Sequence, residues 1–140
     1  MLKGIDPLVT PDLLAGIARA GHGDVVAIVD RNFPASSTGA PVVELPGADV
    51  TAAVRAICAL LPVDIAFQAA PVKHMLTGDG ARGPAVDDVR AALVDAEGRD
   101  VGMEGLDRFA FYDAAAGAVL VVHTSDARPY ACFLIAKGVL

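Results

Sequence analysis

The chain has 140 residues, 54% hydrophobic and only 20% charged, with no tryptophan and a formal charge of −6. A chain this apolar buries enough surface to offset its conformational entropy, so global disorder is excluded and one domain, residues 1–140, is expected. The acidic balance excludes the basic face of a nucleic-acid binder.

Thr10-Pro11-Asp12 opens a first helix with a hydroxyl cap, proline at the first helical position and an acid in the first turn. Leu13, Leu14, Ile17 and Ala18 repeat at helical spacing, and Gly21 stops the helix. Val25 to Val29 is a continuous β-branched-rich run, the mark of a strand buried on both faces, and it ends at Asp30. Asn32 to Gly39 is a loop by composition, and Val42 to Leu45 a short strand. Asp49 or Thr51 caps a second helix striped with Val54, Ile57, Cys58 and Leu61 and ended by Pro62. Asp64 to Ala69 reads as a strand, and Lys73 to Gly83, rich in glycine and charge, as a mobile loop.

Pro84 opens a third helix carrying Val86, Val89, Leu93 and Val94, closed by Gly98; Leu106 to Ala116 reads as a fourth. Val119 to Val122 and Phe133 to Ile135 are strong strands, with Thr124 to Pro129 between them at hairpin length. Helices alternating with buried strands predict an α/β fold. The expected form is a three-layer α/β/α sandwich with a mostly parallel mixed sheet and an antiparallel C-terminal pair. Apolar runs of about six residues fall far short of the ~20 a membrane helix needs, so no membrane partner is expected. The N-terminus, broken by Pro7, Thr10, Pro11 and Asp12, does not read as a signal peptide. Two cysteines, Cys58 and Cys132, make no disulfide framework, which points to the cytoplasm. The hydrophobic surplus exceeds what a small monomer needs, so a homo-oligomer is expected.

The familiar motifs GxGxxG, Walker loop, GxSxG, HExxH and CxxC are absent. Gly78 to Gly83 reads as a flexible loop before a phosphate cradle, and His22, His74 and His123 lack metal-ligand spacing, so no metal is expected. Gly21-His22-Gly23-Asp24 reads in two ways. It is a helix stop with an incidental surface histidine, or a general acid or base presented by a sharply turning backbone. Asp30, at the carboxyl end of a buried strand, either caps its own loop or meets a ligand, since ligands of open α/β sheets bind outside those ends. Arg108 and Tyr112, four apart, share a helix face and can grip hydroxyls together, but Arg108 is equally spaced to pair with Glu104. Tyr130 follows Pro129 into the last strand, a place where tyrosine commonly serves a core or an interface.

Several stretches together resemble the ribose pyranase and fucose mutarotase family, RbsD/FucU. They are Met1-Leu2-Lys3-Gly4-Ile5, Leu8 to Leu14, Gly21 to Asp24, Asp30-Arg31-Asn32-Phe33-Pro34-Ala35, Pro129-Tyr130-Ala131 and Lys137-Gly138-Val139-Leu140. Arg108-Phe109-Ala110-Phe111-Tyr112 resembles the fucose mutarotase branch. The resemblance implies an α/β sandwich assembling into rings, a decamer or smaller. It also implies cofactor-free interconversion of the anomers of a free sugar, L-fucose or a related one. His22 would be the proton donor, with Asp30, Arg108, Tyr112 and Tyr130 at the sugar. The family's usual asparagine two residues after the last tyrosine is here Cys132, a weak donor and poor acceptor.

Mutarotation needs only a neutral-pH acid/base pair, for which His22 and Tyr112 are the candidates, with Asp30, Arg108 and Tyr130 fixing the sugar and Cys132 beside it. His22 and Asp30 flank one strand and stand roughly 20 Å apart at ~3.3 Å per residue, too far for both to touch one monosaccharide from one chain. A site shared between protomers is therefore expected. Passive sugar binding, as in a transport accessory, and a phosphate-binding module using Gly78 to Gly83 remain as alternatives.

Overall fold

The computed structural model describes residues 1–140. The first helix, α1 (Pro11–Arg19), starts as expected, with the Thr10 side chain accepting from the Leu13 amide at 3.2 Å. It leads into β1 (Val25–Val29), whose residues are fully buried from Val26 onward. A single 3-10 turn at Ala35–Ser37 precedes β2 (Val42–Leu45) and α2 (Val50–Cys58), which Asp49 caps at the Ala52 amide. Then come β3 (Val72–Met75), α3 (Val86–Glu97), β4 (Met103–Leu106), α4 (Arg108–Ala115), β5 (Leu120–Thr124) and β6 (Phe133–Ala136).

The strands form one sheet in the order β2-β5-β1-β6-β3-β4. Three pairings are parallel, and β6 runs antiparallel to both neighbours, β1 and β3. Alternation along β1 makes the layers. Val26 and Ile28 enter a core of 26 buried residues shared with α1, α2 and α3, while Ala27 and Val29 face a second of 11 that includes Phe33, Phe111 and Ala115. The three-layer α/β architecture is therefore as expected. Phe111, fully buried from α4, anchors the smaller layer and contributes about 1.5–3 kcal/mol by burial.

Four local expectations fail. Residues 64–69 are not a strand: Val63 makes one isolated bridge to Lys137, and the chain then turns, with the Gln68 amide donating to the Asp64 carbonyl. The place beside β6 belongs instead to β3, whose residues Lys73 to Met75 fall in the segment expected as a mobile loop. Its polar Lys73 and His74 hid it, because Lys73 pairs across the sheet with Glu104 rather than with water alone. Glu104 lies on β4, a weakly patterned edge strand that was not anticipated, and α4 begins after it, where the Asp107 carboxylate caps Phe109 and Ala110. Finally, β5 and β6 run oppositely but are not paired, because β1 lies between them. Their connection passes over the end of β1, where the Arg31 amide donates to the Asp126 carbonyl at 3.2 Å. No helix is long and apolar enough to cross a membrane.

Candidate functional site

The two ends of β1 carry two separate groups of polar side chains. At the amino end, the Gly21 amide donates to the Asp24 carboxylate at 2.7 Å, and Gly23 turns with φ 82°, so the chain between helix and strand swings His22 outward. His22 Nε2 lies 3.1 Å from Asp64 Oδ1, and the other carboxylate oxygen accepts from Gln68 Nε2 at 2.8 Å. Asp64 is 2% exposed against 43% for the His22 side chain. A carboxylate only accepts, so Nε2 carries the proton and Nδ1 is left for chemistry. Phe67 stands against the imidazole, ring centres 5.0 Å apart. Beside them lies a cavity of about 420 Å³ walled by α1 and by the chain's C-terminal residues Lys137 to Leu140.

Sequence reasoning missed Asp64 and Gln68. They are brought to His22 by a turn that follows the bridge of Val63 to Lys137, 42 residues downstream, and no local pattern marks that approach.

At the carboxyl end, a cavity of about 240 Å³ gathers Asp30, Arg108, Tyr112, Tyr130 and Cys132, five of the six residues singled out from sequence. Asp30 follows β1 and is buried; its Oδ1 accepts from the Asn32 amide at 2.9 Å. Cys132, just ahead of β6, directs Sγ to Asp30 Oδ2 at 3.5 Å. Burial first, and then the Asp30 charge, push the Cys132 thiol well above its ordinary value, so it stays a protonated donor. Arg108 does not pair with Glu104, which Lys73 occupies; its guanidinium lies 4.8 Å over the Phe109 ring. Tyr112, one turn on, packs edge-on to Phe33 at 5.5 Å. Phe33, Asn32 and Met75 complete the wall; the first two lie in the stretch after Asp30, but spacing gave them no role.

His22 lines a different cavity, at the opposite end of the strand, as the spacing predicts. One chain thus presents the His22–Asp64 pair and the polar pocket around Asp30 at two cavities that do not meet. No group of three or more His, Cys, Asp or Glu side chains is arranged to hold a metal.

The model of the RbsD / FucU transport protein family matches residues 3–140. The fucose mutarotase of Danio rerio is 35% identical, covering 100% of this chain and 95% of the relative. Among solved structures, FucU from Bifidobacterium longum superposes with a TM-score of 0.91 at 33% identity, covering 99% of each chain. The fucose mutarotase of Streptococcus pneumoniae, solved in complex with L-fucose, superposes at 0.90 with 26% identity and 99% coverage of both.

Proposed function

Because the chain belongs to the RbsD/FucU family, we propose that it is a sugar mutarotase, an isomerase that interconverts the anomers of a free monosaccharide, L-fucose or a close relative. The observation that carries the reading is the 240 Å³ pocket. Residues 30, 108, 112, 130 and 132, from three parts of the chain, bring one carboxylate, one guanidinium and two phenols to a single small cavity. Its volume lies below the ~300–1,000 Å³ of drug-sized sites, which suits one sugar ring.

Mutarotation opens the hemiacetal and recloses it on the other face. The ring oxygen gains a proton as the anomeric hydroxyl loses one, and the roles reverse on closure. His22, held through Nε2 by Asp64, exchanges the proton at Nδ1, and the imidazolium formed in transit is stabilised by the buried carboxylate. Tyr112 serves as the second acid/base. Asp30, Arg108 and Tyr130 take the sugar hydroxyls, and the Cys132 thiol orients Asp30 while presenting a weakly polar surface to the sugar.

His22 and the pocket meet by assembly: the histidine of one protomer completes the pocket of its neighbour in a homo-oligomeric ring, a decamer or smaller, working in the cytoplasm. The exposed aromatic residues support this reading. Phe67 beside His22 and Phe109 beside Arg108 are 68% and 66% exposed, so each half of the site carries an apolar surface for a partner to cover.

The test is saturation-transfer NMR on free fucose, ribose, galactose and rhamnose. Wild type accelerates anomer exchange of at least one, and His22→Ala loses about 10²–10⁴-fold of that acceleration. Cys132→Asn changes the ranking of the sugars. Equal exchange with wild type and His22→Ala on every sugar overturns the reading.

A further inference from the structure

Tyr130 is the one non-glycine residue of the chain with positive φ, at 60°. An aromatic side chain adopts that left-handed backbone only where its surroundings over-determine it. The over-determination comes from the preceding residues. Asp126 is buried, and its carboxylate takes four donors: the Arg128 amide at 2.9 Å and Nε at 3.1 Å on Oδ1, then Arg128 Nη2 at 2.7 Å and the Val50 amide at 3.0 Å on Oδ2. Arg128 spends its remaining donors on α3 and α2, with Nη1 2.9 Å from Asp88 Oδ2 and Nη2 3.2 Å from Thr51 Oγ1. The connection after β5 is thus bolted to two helices at the residue before Pro129. On the other side, Gly78 leaves room for the phenol: a Cβ there would lie 3.2 Å from the Tyr130 hydroxyl.

The same aspartate reaches the opposite wall of the pocket. Its carbonyl accepts from the amide of Arg31, the residue next to Asp30, and its own amide donates to Thr124 Oγ1, which donates in turn to the Val29 carbonyl at 2.8 Å. We infer that the Asp126–Arg128 pair is a positioning unit for the site, setting the separation of Asp30 and Tyr130 across the sugar pocket. Neither side chain lines the pocket. The inference rests on the proposed function for its kinetic consequence, but not for its structural one. Lysine cannot replace the arginine, because a single ammonium cannot reproduce the fork on Asp126 and the contacts to Asp88 and Thr51 together.

The chain's composition supplies a direct probe. It has two tyrosines and no tryptophan, so in a Tyr112→Phe background Tyr130 is the only tyrosine fluorophore. In that background Arg128→Ala frees Tyr130, and its quenching by acrylamide rises toward that of free tyrosine. With Tyr112 intact, Arg128→Ala raises KM for the sugar about tenfold while kcat stays within about threefold. Arg128→Lys falls between, and Asp88→Ala, which removes only an outer contact, moves both readouts less. Should Arg128→Ala fail to fold, these two milder variants carry the comparison. Thr10→Ala, which uncaps α1, lowers Tm and moves neither readout. Unchanged quenching and KM in the folded arginine variants overturn the inference, as does a fall in kcat with KM fixed. Raised quenching in a chain whose wild type accelerates no sugar supports the clamp and overturns the mutarotase reading instead.

Discussion

Asp64 gives His22 what its flanking glycines cannot, a fixed ring orientation and a negative charge 3.1 Å from one nitrogen. On the proposed mechanism Asp64→Asn slows anomer exchange by roughly 10–100-fold with little change in KM, since the proposed sugar pocket lies at the other end of β1. Steady-state NMR exchange rates across sugar concentrations separate the two parameters. The cysteines are expected to be inert in the folded protein. Burial, with a contribution from the nearby Glu97 charge, pushes Cys58 up to about 12, and burial with the Asp30 charge holds Cys132 well above its ordinary value. A thiol reagent at neutral pH should label neither until denaturant is added; rapid labelling of native Cys132 would contradict its buried contact with Asp30. At this scale the sequence was legible where a residue borders a strong local element. His22 and Asp30 flank an uninterrupted apolar strand and stand out for that reason. Asp64 does not, because its meaning comes from a partner 42 residues away.

Strand β3 carries the clearest acid sensitivity among the elements. His74 is buried on it with Nδ1 unpartnered. Burial pulls its pKa below 6.5, an adjacent Met75 backbone contact opposes this, and the charges of Arg82 and Arg90 add to the lowering. Folding therefore costs nothing at this site above the unfolded value. As pH falls below about 6.5 the unfolded chain binds a proton that the folded chain refuses, and stability drops by up to ~1.4 kcal/mol per unit. Urea unfolding of wild type and His74→Leu at pH 7.5 and 5.5 checks this: the wild type loses more stability on acidification than the variant does. Parallel losses would contradict it. Asp126 acts in a separate window. Burial raises its pKa, but the Arg128 fork and the Val50 and Arg128 amides outweigh that and leave it below 3.8. Its stabilisation is complete above that ordinary value and is lost as pH falls through the lower folded one. Asp126→Asn should cost about 1.5–3 kcal/mol at pH 7, the worth of hydrogen bonds to a charged group, and proportionately less in strong acid. The capped helices and β-branched strands were legible, since caps and patterning act within a few residues. Strands β3 and β4 were not: Lys73 and Glu104 pair with each other across the sheet and His74 is buried, and a charged or polar residue read alone looks like loop.

On the scale of the whole molecule, the order of the strands was the least legible feature. Inserting β6 antiparallel between β1 and β3 depends on contacts distant in sequence, and nothing in the short connection from β5 announces that β1 will separate the two. The separation of His22 from Asp30 was legible, because it needs only the length of one strand. It also makes the most direct demand on the proposed assembly. His22→Ala and Asp30→Ala variants should each be inactive when pure. Denatured together in equal amounts and refolded, they form mixed oligomers in which ~25% of the shared sites draw an intact His22 from one chain and an intact Asp30 from its neighbour. Anomer exchange in the mixture should recover to about that fraction of the wild-type rate. Recovery no greater than that of the two variants refolded apart would mean that each site lies within one chain, and would contradict a catalytic centre completed by assembly.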